Sequence, residues 1–192
     1  MRRVFIFVML AVSVLAPKSG FGISFDPKEF DQLVAEAEQI FVGTVTGTTS
    51  RKLPAGAIVT DVIFTSLQLL KGSTSNTEIS LMVLGGTVGA ETVEVSGMPR
   101  FQTGITYLVF SQGNGTTIFP VVGGDQGMFQ IKLNPVTGEN ILLNSRGMPV
   151  VSQSVLHAVA AVAAPLQDAQ PVPPPIPLEV FLQAVRSRLG LR

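Results

Sequence analysis

The chain of 192 residues has no cysteine and no tryptophan, one histidine and one tyrosine. Each shortage removes a chemistry. Without cysteine there are no disulfides, no thiolate ligands and no lipid anchor on a cysteine behind a leader. Zinc sites draw on Cys, His, Asp and Glu and almost always include imidazole or thiolate, so a lone His157 argues against zinc. Calcium needs clustered oxygen ligands. Asp125, in the loop Gly123-Gly124-Asp125-Gln126-Gly127, has no run of alternating acids beside it and reads as a turn aspartate. We expect no metal and no cofactor.

Acid–base and nucleophilic chemistry are also short of parts. A Ser-His-Asp triad would have to use His157. Ser154 is too near it in sequence to serve as a separate nucleophile, and no nucleophile-elbow motif is present. His157 reads as a partly exposed helix residue, and His157→Ala is expected to change little. Glu91 and Glu94 have opposite strand parity, so they do not face each other as a glycosidase pair, and tryptophan platforms for sugars are missing. The glycine loops Gly85–Gly89 and Gly123–Gly127 lack the strand-to-helix setting and the lysine of a phosphate cradle, and read as tight turns.

Charge is scarce, at 14% of residues, and balanced at 13 basic against 13 acidic. No basic face is available for a phosphate backbone, so nucleic acid is an unsuitable partner. No second apolar run approaches transmembrane length, so no stable membrane insertion is expected once the leader is removed.

That leader is the clearest targeting signal present. Arg2 and Arg3 precede an apolar stretch from Val4 to Leu15, and Gly20 and Gly22 are small residues spaced for cleavage after Gly22. Residues 1–22 therefore read as a signal peptide of an exported protein, periplasmic or extracellular. An uncleaved anchor is the alternative. Removing 22 of 192 residues leaves 170. Arg2, Arg3 and Lys18 go with the leader, so ten basic residues then face 13 acidic ones, a net charge of −3. A chain this long can bury a core without disulfides.

Phe25 to Gln39 carries helix signals. Asp26 suits an N-cap, Pro27 the first helical position, and Glu29 a capping box. Phe25 and Phe30 fit a hydrophobic staple, and Phe30, Leu33, Val34 and Ala37 share a helical stripe. Ile40 to Gly47 and Ile58 to Lys71 then read as the arms of a long hairpin around a polar crossing with Pro54 and Gly56. In the second arm Val62 and Phe64 have one parity, Leu67 and Leu69 the other. A bulge near Thr65–Ser66 would return both pairs to the core and bend the strand.

Further strands are predicted at Thr77–Leu84, Glu91–Val95, Ile105–Phe110, Thr116–Val122, Met128–Leu133 and Glu139–Leu143. Ile105–Phe110 is apolar on both faces and should be central. Gly85–Gly89 reads as a flexible loop, and Asn114-Gly115 as a hairpin turn. The fold class is mainly β: a small antiparallel barrel, OB-like, or a sandwich, with an N-terminal capping helix and a C-terminal amphipathic helix. Residues 23–151 form the β domain with its N-terminal helix. Residues 152–177 hold an Ala/Val-rich segment, read as a helix over Ser152–Ala164, and a polyproline-II tether over Gln170–Pro177. Residues 178–192 form a helix whose stripe is Leu178, Phe181, Leu182, Val185 and Leu189, expected to dock on the same domain.

One stretch carries a resemblance. Its marks are Phe41-Val42-Gly43-Thr44-Val45, Thr60-Asp61-Val62 leading to Leu70-Lys71-Gly72, Gly85-Gly86, and Gly97-Met98-Pro99-Arg100-Phe101 followed by Gly104 and Tyr107-Leu108-Val109-Phe110. Val121-Val122-Gly123 and Gln126-Gly127-Met128-Phe129 complete the set. In this order they resemble a domain that recurs in exported bacterial proteins of unknown function, some with a matrixin-like metalloprotease elsewhere in the chain. The resemblance covers about Phe30 to Leu133. It implies an exported β-barrel-like module and brings no catalytic residues, and the zinc-protease motif is absent here. The hairpin ending in Leu70-Lys71-Gly72 is also similar to OB-like netrin and metalloprotease-inhibitor modules. Those depend on cysteines, which this chain lacks.

These readings give two expectations for function. The first is an exported, non-enzymatic β-barrel module that binds a protein or cell-surface partner. Its candidate interface is Arg100, Phe101, Gly85, Gly86, Asp125 and Gln126. The second is an enzyme or small-ligand carrier with a site built from loops. Arg100 beside an exposed Phe101 would suit an interface anchor; Phe101 plugging the barrel end, with Arg100 in water, is the other reading.

Overall fold

The computed structural model describes residues 21–113, 116–151 and 173–191. The leader segment 1–20, the Asn114-Gly115 turn, His157 and the Ser152–Ala164 helix lie outside the described residues.

The chain order is β1 (Phe21–Gly22), α1 (Phe30–Glu36), β2 (Gln39–Lys52), β3 (Ile58–Lys71), β4 (Ile79–Leu84), β5 (Gly86–Val88), β6 (Glu91–Val93), β7 (Val95–Ser96), β8 (Thr106–Ser111), β9 (Met128–Leu133), β10 (Asn140–Leu143) and α2 (Leu178–Arg188). Six strands form one antiparallel sheet in the order β10-β9-β8-β2-β3-β4. Two small pairs flank it: β1 with β7, parallel, and β5 with β6, antiparallel.

The fold is mainly β, as the spacing of strands and turns predicts, but the sheet is not closed into a barrel. The outer edge of β10 is occupied by the chain itself. Val150 N donates to Leu142 O (2.9 Å) and Ile176 N to Val150 O (2.9 Å). Pro177 stands opposite Ile141, and Pro175 opposite Val151. Proline has no N–H to offer, so the ladder ends there. The described part of the proline-rich segment thus lies on the sheet edge.

The two sheet faces carry separate cores, set by the two-residue period of strands. Ile40, Val42, Leu108, Phe110, Phe129 and Leu142 share one core with Phe30, Leu33 and Val34 of α1 and Phe181, Leu182 and Val185 of α2. Phe41, Val45, Val62, Phe64, Tyr107 and Val109 share the other with Val95, Met98 and Val121. β8 lies between β2 and β9 and is buried on both faces, which is why it reads as a continuous apolar run. Each large apolar side chain so buried contributes about 1.5–3 kcal/mol before entropy is counted.

The β2–β3 hairpin sets the curvature. Its pairing runs Val42↔Gln68 and then Thr44↔Thr65, so Ser66 and Leu67 together oppose Gly43. This bulge falls at the place that the change in side-chain parity indicates. Ser66 has φ 54°, and Leu67 and Leu69 pack on the same core as Val62 and Phe64. Gly43 sits close under the bulge: a Cβ there would come within 2.9 Å of Leu67 Cδ2, so the leucine would have to shift. Further shifts lie between Ile40 and Phe41 and between Val45 and Gly47. Bulges bend the strand that carries them. At the far end of the hairpin, Leu84 N reaches Ile118 O in the loop after β8, at 3.2 Å.

Five expectations need correction. Helix α1 begins at Phe30, not near Pro27. Its N-cap is Glu29, with a capping box to Gln32. Asp26 does not cap it, because the segment before the helix is held extended: Ile23 N bonds Ser96 O, and Lys28 N bonds Gln126 Oε1 at 2.7 Å. Phe25 accordingly packs edge-on to Phe119 (6.2 Å) and does not staple Phe30. The polar crossing after Gly47 is strand as far as Lys52, because each residue pairs with β3. Gly85–Gly89 is no loose loop but contains β5, paired with β6. Thr116–Val122 is not a strand; Val121 alone bridges to Ser111.

Candidate functional site

The candidate site lies where the β5–β6 hairpin meets the Pro99–Phe101 loop. A cleft of about 250 Å³ opens there, lined by Gly85, Gly86, Thr87, Arg100 and Phe101 with Thr48, Thr60 and Thr92. Four of the six residues singled out from sequence are thus brought together: Gly85, Gly86, Arg100 and Phe101. Asp125 lines the neighbouring cleft, which shares Val95, Met98 and Arg100 with the first. Gln126 lines neither. Its side chain holds the N-terminal segment, accepting from Lys28 N and donating to Asp26 O and Gly123 O, both at 3.0 Å.

The floor of the first cleft is a chain of hydroxyls. Thr60 Oγ1 donates to Gly85 O at 2.7 Å and meets Ser50 Oγ at 2.9 Å. Thr87 N donates to the same Ser50 Oγ (3.3 Å), and Thr87 and Thr92 hydroxyls meet at 3.0 Å. Gly86 has φ 137°, and a Cβ there would collide with Thr60 Oγ1 and Ser50 Oγ. Two glycines in sequence are therefore what lets the hairpin turn down onto β2 and β3. Lys52 Nζ to Glu91 Oε2, at 2.7 Å, ties the hairpin to β2 from outside.

The rim is Arg100 and Phe101. Phe101 is half-buried, its ring 5.1 Å from both Phe64 and Tyr107 in edge-on geometry. That packing fixes the loop. The Arg100 side chain is 71% exposed, and its contact with Glu94 is 3.5 Å long. A pair so exposed contributes about 0–1 kcal/mol, so the guanidinium remains available.

The second cleft, of about 480 Å³, is more polar. Arg100, Gln102, Tyr107, Asp125, Gln130 and Asn144 all line it. Tyr107 is buried, and its hydroxyl oxygen accepts from Gln102 N at 3.1 Å. Burial pushes the Tyr107 phenol above its ordinary pKa, partly offset by that hydrogen bond, so it keeps its proton. Asn144 Oδ1 accepts from Arg146 N and Met148 N, both at 3.0 Å, which leaves its amide nitrogen as the side chain's donor.

Sequence reasoning missed Tyr107, Asn144 and the Ser50–Thr60 hydroxyls. The first sits in an apolar run and reads as core. Ser50 and Thr60 are strand residues whose partners lie 10 to 37 positions along the chain, and Asn144 reads as an ordinary turn residue bonding Arg146 and Met148. The only signal open to inspection was the clustering of Thr and Ser on β2, β3 and β5. Among the described residues no group of three or more His, Cys, Asp or Glu could hold a metal ion, and no helix is long and apolar enough to cross a membrane.

No protein-family model, no curated protein and no solved structure matches the chain. The resemblance to exported bacterial β modules accordingly rests on the residue pattern alone.

Proposed function

We propose that the protein is an exported, non-enzymatic β module that binds a protein or cell-surface partner through the cleft between β5–β6 and the Pro99–Phe101 loop. The observation that carries this reading is the rim. A guanidinium that is 71% exposed stands on a loop held rigid by a half-buried phenylalanine, beside a cleft with a hydroxyl floor. Rigid loops bearing an Arg next to an aromatic supply interface anchors at low entropic cost. An OB-like bend of the β2–β3 hairpin, with α1 and α2 as a joint cover of the opposite face, belongs to the same reading. The bulge at Ser66–Leu67 supports it.

The partner test places a photo-crosslinking residue at position 100 in cells, with position 136 as the control. Val136 is 90% exposed on the β9–β10 turn, away from both clefts. A discrete adduct from position 100, absent from position 136 and abolished by Thr87→Arg, is the expected result. Equal labelling at both positions, or none, overturns the reading.

Export is part of the proposal. N-terminal sequencing of the purified protein should begin near Ile23. A product that keeps Met1 and sediments with membranes overturns it. A second reading, a small-ligand carrier, is favoured by one observation: the second cleft holds an aspartate without an ion-pair partner among the described residues.

A further inference from the structure

From the second cleft we infer that the protein binds a small zwitterion, a ligand with both an ammonium and a carboxylate, of the free amino acid or dipeptide class. This site adjoins the partner cleft, sharing Val95, Met98 and Arg100 with it, and stands whether or not that reading holds.

Three observations carry it. The Asp125 carboxylate has no hydrogen-bond or ion-pair partner among the described residues, although the residue is only half-exposed and sits in a turn fixed by Gly124 N to Val121 O and Gln126 N to Gly123 O. It is held in place with its acceptor capacity unspent. Arg100 lines the same cleft and has only the long Glu94 contact. One cleft therefore offers an acceptor-only anion and a donor-only cation, the complement of a zwitterion. The third observation is Tyr107. It is 3% exposed, its oxygen already accepts from Gln102 N, and no acceptor takes its proton among the described residues. A buried phenol that has a proton to give and lines a cleft is a ready donor for a carboxylate oxygen.

Other occupants suit the cleft less well. A bare cation would find one carboxylate where a calcium site needs several oxygen ligands. A sugar would normally stack on an aromatic face, and among the described residues the one aromatic ring lining this cleft, Tyr107, is taken edge-on by Phe101. The cleft volume of about 480 Å³ is in the range of small-molecule sites. Asn144 and Gln130, which also line the cleft, supply amide groups for a peptide bond or a polar side chain.

The test titrates the full mature chain, labelled with nitrogen-15, with L-leucine, L-glutamine and glycyl-L-leucine. N-acetyl-L-leucine lacks the ammonium, L-leucinamide lacks the carboxylate, and sucrose is the neutral control. Saturable amide shifts at Gly97, Asp125, Gln130 and Ser145 are expected with a zwitterion. Each blocked analogue should bind about tenfold or more weakly, the loss for one charged hydrogen bond. Asp125→Asn should bind L-leucine and N-acetyl-L-leucine equally, while Arg100→Gln should bind L-leucine and L-leucinamide equally. These ratios are internal to each variant, so a modest loss of stability does not disturb them. Absence of saturable shifts with every zwitterion overturns the inference. So does an equal response to sucrose, or a preference for L-leucine over N-acetyl-L-leucine that survives Asp125→Asn.

Discussion

Replacing Phe181 by alanine tests whether α2 belongs to the cooperative unit. Phe181 is 2% exposed. Its ring lies 5.3 Å from that of Phe30 and 5.5 Å from that of Phe129, so it joins α1, α2 and β9 in one cluster. Truncation removes the buried area and leaves a cavity between two helices and a sheet, which resists collapse because all three walls are fixed. The expected cost is about 3–5 kcal/mol. That figure already contains about 0.5–1.5 kcal/mol for each ring pair. For a chain of this length, each kcal/mol lowers the melting temperature by about 2–4 °C, so a fall of about 6–20 °C follows. Scanning calorimetry of the mature chain reads it directly. Val180→Ala is the control: half-exposed on the same helix, it should stay within about 0.5 kcal/mol of the parent. Truncation after Gln170 removes both α2 and the proline cover on β10, and should lower the melting temperature further. An unchanged melt for Phe181→Ala would refute the reasoning and make the stripe a docking surface for another molecule.

The β3 bulge predicts a gain. Ser66 is exposed and sits at φ 54°, so Ser66→Gly should relieve left-handed strain and stabilise the protein by about 1 kcal/mol in urea melts, less the extra entropy of glycine unfolded. Thr60→Val removes the donor to Gly85 O beneath the cleft. It should cost about 1–3 kcal/mol by the same assay, while Thr46→Val, whose hydrogen bond is long (3.4 Å) and exposed, should cost little. Tyr107 sets an alkaline limb. Its folded pKa is raised above 10.0, so the folded state holds its proton where the unfolded state has lost it. Its contribution is therefore fully present below about pH 9 and declines as pH rises through and beyond 10. The stability of Tyr107→Phe should lose that part of the slope, and an identical alkaline limb in both proteins would contradict the assignment.

Much of this fold is decided by local pattern. Two-residue alternation in β2 and β8 places Phe41 and Val109 on one face and Ile40 and Phe110 on the other, because successive strand side chains point to opposite faces whatever they pair with. The helical stripe of α2 and the parity break at Ser66 were legible for the same reason: each is a property of neighbouring residues. What the tertiary structure decided is whatever depends on residues far apart in the chain. Glu29 caps α1 in place of Asp26 because Gln126, about a hundred residues away, holds the preceding backbone extended. Prolines near the C-terminus cover the β10 edge of the sheet, which no strand pattern within β10 records. Arg100 and Phe101 meet Gly85 and Gly86 through β5–β6 folding down onto Ser50 and Thr60. The second cleft assembles Arg100, Tyr107, Asp125 and Asn144 from four separate loops and strands. Local sequence sets which face a side chain takes; long-range packing alone sets which side chains share a cavity, since that depends on where bulges bend the sheet and which edges the chain covers.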